Sequence, residues 1–300
     1  MTKLFGAGAG RVIAVEEFGD PGGVPWLYFH GTNSAGAEGR LFDGAARYRG
    51  VRVLAADRPG IGGSTPGPGH DILDWARDVT AVADALGLDG FVVGGWSSGA
   101  AHAMACAYAL PRRVRGGVLV NTATPEGAPG PDRRQRAIAG LARRMPWLVR
   151  RVVAPLMTKA LSRPERVRDP AARARILRYF PAVDRPLLAE LWSTVDGQET
   201  FMAMAREAAR QGSAATARDL LVLWGRQGWG FTPSEISVPL RLFTGERDSS
   251  RQFAEALADI APDASVHLFP GGHHGFLAGQ AQREICDAVV TAWECPRTPS

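Results

Sequence analysis

At 300 residues and 45% hydrophobic content, the chain is long enough to bury a sizeable core without staples. Its three cysteines (Cys106, Cys286, Cys295) form no C-x-x-C pair and no metal-ligand spacing, and an odd count argues against a disulfide framework. The net charge of +5 is unevenly spread: 18 basic residues face 9 acidic ones between Pro125 and Arg218, so the rest of the chain is acidic.

Met1 to Arg11 holds one lysine and no apolar core of a signal peptide, and no stretch reaches the roughly 20 apolar residues that span a bilayer. A soluble cytoplasmic protein is the expectation. Gly6-Ala7-Gly8-Ala9-Gly10 looks like a dinucleotide loop. It precedes the first predicted strand instead of following one, so it is read as a flexible end.

Val12–Val15, Trp26–Phe29 and Val51–Ala55 are short apolar runs that read as strands, as are Phe91–Val93 and Gly117–Val120. Between them, Ile72, Trp75, Val79, Val82, Ala83 and Leu86 recur at three- and four-residue steps and form one helical stripe, ended by Gly87. Strands alternating with helices predict a mostly parallel sheet covered on both faces. After Asn121 the pattern breaks. A Pro/Gly linker, Thr124 to Pro131, leads into about ninety residues of helix-like sequence. Strands resume at Leu240–Thr244 and Val266–Phe269, and a last helix runs from about Gln280 to Trp293. The arginines of the helical block alternate with aliphatics at helical spacing, the pattern of solvated faces. No nucleic-acid motif accompanies them, and nothing in the chain sets an oligomeric state.

Gly95-Trp96-Ser97-Ser98-Gly99 carries the chemistry. A serine between glycines, after a strand and before a helix, predicts a nucleophile elbow, a turn too sharp for side chains at the flanking positions. A serine hydroxyl needs a base, and the base needs a group that fixes its tautomer. Strand ends downstream offer both. Asp248 follows Leu242–Thr244, with Glu246 as a competitor and helix capping as its plainer role. His273 follows Gly271-Gly272, with His274 as the alternative base. The oxyanion donors expected are the backbone N–H of Ser98, at the start of the helix, and that of Thr32, in His30-Gly31-Thr32-Asn33. His30 and Asp57 are read as braces, and adjacent histidines splay too far apart to suggest a metal site.

His30-Gly31, Asp57-Arg58-Pro59-Gly60, the elbow, Gly245-Glu246-Arg247-Asp248 and Gly272-His273 stand in an order that resembles the α/β-hydrolase superfamily in its lid-bearing form. The resemblance spans nearly the whole chain. It implies a core from residues 1–124 and 238–300 and an inserted helical lid from 125–237. It implies Ser97 as nucleophile, Asp248 as acid and His273 as base, acting on a small-molecule substrate with no metal or cofactor. A serine at the elbow argues against dehalogenases and epoxide hydrolases, which carry aspartate there. Carboxylic ester hydrolysis is the leading expectation. The same triad acting on an amide, N-terminal peptide, lactone, thioester or carbon–carbon bond is the second, and a non-catalytic ligand-binding protein the third. Trp96, Trp192, Phe201 and Met202 are the candidates for an apolar substrate pocket.

Overall fold

Side-chain alternation along β3 (Val24–Phe29) divides the protein into two cores. Trp26 and Tyr28 point into one apolar cluster, with Phe42, Phe276 and Val289. Leu27 and Phe29 point into the other, with Trp75, Val79 and Met104. This is the two-residue period of a strand buried on both faces. The computed structural model describes residues 2–67, 69 and 71–295.

The sheet has eight strands in the order β1-β2-β4-β3-β5-β6-β7-β8. Besides β3 these are β1 (Lys3–Gly6), β2 (Val12–Gly19), β4 (Val51–Ala56), β5 (Phe91–Trp96), β6 (Val114–Val120), β7 (Leu240–Gly245) and β8 (Ala264–Phe269). All pairs from β4 to β8 are parallel, while β1 and β2 run antiparallel at one edge. Here the reading of Gly6–Gly10 as a flexible end is corrected. Lys3–Gly6 pairs with Val12–Val15, and the glycines form the hairpin turn. Gly8, Ala9 and Gly10 take φ values of 75°, 49° and 73°, a left-handed run that glycine permits at little cost.

Helices α1 (Asp43–Arg49), α2 (Asp74–Ala85) and α3 (Ser98–Ala109) lie among the strands. α2 buries Trp75, Val79, Val82 and Ala83 of the stripe read from the sequence, with Ala76 beside them, and Gly87 takes a left-handed φ of 67° just past its end. α3 is alanine-rich and buried on nearly every side, as a central helix must be. Between β6 and β7 come α4 (Arg133–Arg144), α5 (Pro146–Leu148), α6 (Ala154–Ala160), α7 (Pro170–Leu177), α8 (Arg185–Leu191), α9 (Val195–Ala209) and α10 (Ala214–Trp224). β6 and β7 are neighbours in the sheet, so this helical insertion leaves and rejoins adjacent strands. It has a small core of its own around Val167, Leu188, Trp192 and Met202. α11 (Arg251–Ile260) and α12 (Gly279–Glu294) complete the chain. Cys106 and Cys286 are buried, and all three cysteines are unpaired. Among the described residues no helix is long and apolar enough to cross a membrane.

Candidate active site

β5 ends at Trp96, and the chain reverses into α3 at Ser97, whose φ of 57° and ψ of −118° are rare for a residue with a side chain. Backbone bonds hold this strained turn on both sides. Ser97 N–H donates to Val120 O (2.9 Å) and Ala123 N–H to Ser97 O (3.0 Å). The end of β3 passes so close that a Cβ on Gly95 or Gly99 would lie 2.3 or 1.9 Å from Phe29 O. The glycines of the motif are therefore dictated by contact with the neighbouring strand.

His273 stands in the loop after β8, and its Nδ1 lies 2.8 Å from Asp248 Oδ2. The other Asp248 oxygen accepts from Ser250 N–H (2.8 Å) at the start of α11. One carboxylate oxygen thus faces His273 and the other closes the turn that leads into α11, whose N-cap is Ser250. Burial opposes its charge, but the His273 ring and the hydrogen bonds from His273 and Ser250 prevail and hold the carboxyl down at about 2. For His273 burial also opposes the charge, and Asp248 with the more distant Asp184 and Glu38 outweighs it, so its pKa lies above 6.5. Glu246, the competitor, is exposed.

The loop that carries His273 is tied to the elbow. His273 O accepts from Trp96 Nε1 (3.0 Å) and from Asn121 Nδ2 (2.9 Å). Asn121 Oδ1 in turn accepts from Gly245 N–H (2.9 Å), so one amide at the end of β6 links the turns that carry Asp248 and His273.

On the other side of the elbow, His30 and Gly31 continue from β3. His30 Nδ1 lies 2.8 Å from Gly31 O, and its Nε2 accepts from Arg58 N–H (3.3 Å). Burial, with the Arg58 charge nearby, drives the His30 pKa well down, so the ring is a neutral brace. Arg58 reaches across the whole region. Its guanidinium donates to His30 O, Gly31 O and Ser98 Oγ, and pairs with Asp219 of α10. Ser98 Oγ is thereby engaged 3.1 Å from Arg58 Nη2. Its N–H, at the first position of α3, has no intrahelical acceptor. Thr32 occupies the turn before Asn33 (φ 65°), whose Nδ2 donates to Met157 O of α6.

The chain matches the model of the Alpha/beta hydrolase family over residues 21–288. It is an α/β hydrolase. A non-heme chloroperoxidase of Streptomyces lividans is 36% identical over 121 residues, 39% of this chain and 43% of the relative's length. A proline iminopeptidase of Neisseria meningitidis is 35% identical over 109 residues, 35% of this chain and 34% of the relative's. The chain thus spans less than half the length of these curated relatives. An esterase from Exiguobacterium antarcticum shares the fold, with a TM-score of 0.67 at 19% identity over 98% of this chain and 100% of that one.

Two of the pocket candidates of this hydrolase lie in the interior of the insertion. Trp192 and Met202 are 2% and 0% exposed within the core of the insertion, where aromatic and thioether bulk fills space between helices. Phe201 packs against that core from its edge, its ring 4.8 Å from Trp192. Trp96 is at the site, where its indole braces the loop that carries His273 and lies 4.9 Å from that ring. Some arginines of the insertion gather in one place. Arg136, Arg143, Arg144 and Arg226 line an open cleft of about 650 Å³ beside Glu126, and no member of the Ser97, Asp248, His273 set lines it.

Sequence reasoning passed over three residues that matter in this hydrolase: Arg58, Asp219 and Asp184. Arg58 stood in a quoted motif with no role assigned. Asp184 and Asp219 sit among helices in a region of low pattern content, and no local signal marks either one.

Proposed function

We propose that this hydrolase cleaves carboxylic esters of small molecules through an acyl-enzyme. The observation that carries the reading is the 2.8 Å pair between His273 Nδ1 and Asp248 Oδ2 on a loop tied to the Ser97 elbow. With Nδ1–H held by Asp248, His273 Nε2 is the free base. Ser97 Oγ attacks the ester carbonyl carbon and its proton passes to Nε2. The backbone N–H groups of Ser98 and Thr32 receive the negative oxygen of the tetrahedral intermediate. As that intermediate collapses, the alcohol leaves with the proton from Nε2. Water, deprotonated by the same nitrogen, then attacks the acyl carbon and frees the acid and Ser97. None of these steps calls for a metal or organic cofactor.

The helical insertion, residues 125–237, acts in this reading as a lid over the carboxyl edge of the sheet, where open α/β sheets take ligands. Its positive balance favours neutral or acidic substrates over amines. A proline iminopeptidase among the relatives names the main rival chemistry, an N-terminal peptide bond.

A fluorophosphonate probe tests the nucleophile. Wild type is expected to label and Ser97→Ala to lose labelling, and equal labelling of both rejects Ser97. An aryl-ester series of graded acyl length, run beside a proline arylamide and a lactone, tests the bond. Faster turnover of the arylamide than of every ester overturns the ester assignment.

A further inference from the structure

Asp184 is the residue before α8, a position where aspartate ordinarily accepts from the first N–H groups of its helix. Here it makes no such cap. Its side chain is fully buried, and both oxygens are spent on the loop after β8. Oδ1 accepts from Gly272 N–H (2.8 Å), while Oδ2 accepts from His274 N–H (3.3 Å) and lies 3.1 Å from His274 Nδ1. The loop is moulded to the carboxylate, since a Cβ on Gly272 would stand 2.9 Å from Asp184 Oδ1 and 2.9 Å from Val183 Cγ1.

The residue between the two N–H donors is His273. Its peptide is therefore gripped from the amide side by Asp184 and from the carbonyl side by Trp96 and Asn121. The second grip comes from the sheet, the first from the insertion. We propose that Asp184 is a positioning residue for the general base, through which the insertion presents His273 to Ser97. The proposal rests on the reading of His273 as that base. It gives the insertion a part in the catalytic geometry beyond covering the site.

Charge accompanies the geometry. The titratable groups facing the His273 ring are Asp248 from the turn after β7, Asp184 from the insertion, Glu38 from the segment before α1, and the neighbouring His274. Burial opposes the Asp184 charge, but the bonds from His274 and Gly272 hold its pKa below the ordinary value, so it is ionised at neutral pH. It thus adds to the field that favours protonated His273.

The test uses the full chain with Asp184→Asn, which keeps shape and one acceptor but loses the charge, and Gly272→Ala, which drives the loop off the carboxylate. With an aryl ester, both are expected to lose on the order of tenfold to a hundredfold in kcat with KM within about twofold, as a displaced catalytic group does. The His273 ring signal in a pH titration by NMR, assigned with His273→Gln, is expected to move to a lower midpoint in Asp184→Asn. Wild-type kcat together with a wild-type His273 midpoint in both variants overturns the proposal, whatever their melting temperatures. Wild type that neither labels at Ser97 nor turns over esters sinks the serine-hydrolase reading instead, and the His273 titration still decides the role of Asp184.

Discussion

Arg58, from the loop after β4, and Asp219, from α10 of the insertion, form an ion pair with only 1% and 9% of their side chains exposed. Burial raises the Asp219 pKa and Arg58 lowers it by more, so the carboxylate stays charged out of water. The same guanidinium holds His30 O, Gly31 O and Ser98 Oγ, so one buried cation joins the insertion to both walls of the elbow.

Removing one partner strands the other charge. Arg58→Met and Asp219→Leu are each expected to lower unfolding stability by about 3–5 kcal/mol in denaturant titrations. The double variant should be more stable than either single one, because it leaves no unpaired charge. Single variants as stable as wild type would show that the pair carries no such load.

The proposed role of Asp248 as acid is read through His273. Asp248→Asn leaves the turn in place but removes the charge that fixes the His273 tautomer, and kcat on an aryl ester is expected to fall by roughly 10⁴. The pH profile carries a second prediction. His273 must be neutral to accept the proton, and its folded pKa is raised, so wild-type kcat/KM should fall on the acid side with a midpoint above 6.5. A midpoint below 6.5 contradicts the Asp248–His273 coupling.

Glu38 gives a pH test of stability that does not involve turnover. It is fully buried and accepts from Tyr28 Oη (2.5 Å) and Gly31 N–H (3.2 Å), and burial pushes its carboxyl up to about 7. Because the folded pKa is raised, the stabilising contribution is complete below the ordinary value of 4.5 and is lost as pH rises through about 7. Glu38→Gln does not titrate. Relative to it, wild type is expected to lose about 3 kcal/mol of unfolding stability between pH 4 and pH 8, from a shift of this size. A difference that stays flat over that range rejects the raised pKa.

The features legible in the sequence share a local cause. The central strands β3 to β7 showed as apolar runs because they are buried on both faces. The elbow showed because contact with β3 forbids side chains at Gly95 and Gly99. Ser97, Asp248 and His273 could be placed because each stands at a strand end, next to the glycines that sharp turns need. What escaped depends on contact between distant segments. Asp184 meets the loop of His273 across 88 positions at Gly272, and Asp219 meets Arg58 across 161. Neither aspartate lies in a motif, and their value comes from burial that only the folded chain supplies. Trp96 and Trp192 show the limit of composition. Aromatic bulk reads as pocket material, yet here it serves a brace and a helical core.

The splice of the insertion between neighbouring strands has a consequence for exchange of parts. A foreign cassette grafted between β6 and β7 would leave every strand pairing in the sheet untouched, but it would take Leu223, Trp229 and Ile236 out of the main core. It would not by that means yield a working enzyme. The recipient would still hold a buried arginine and a His273 loop shaped around carboxylates it no longer has. A functional graft must bring two acidic groups to the sites now filled by Asp184 and Asp219, and those two anchor points are the specification any replacement has to meet.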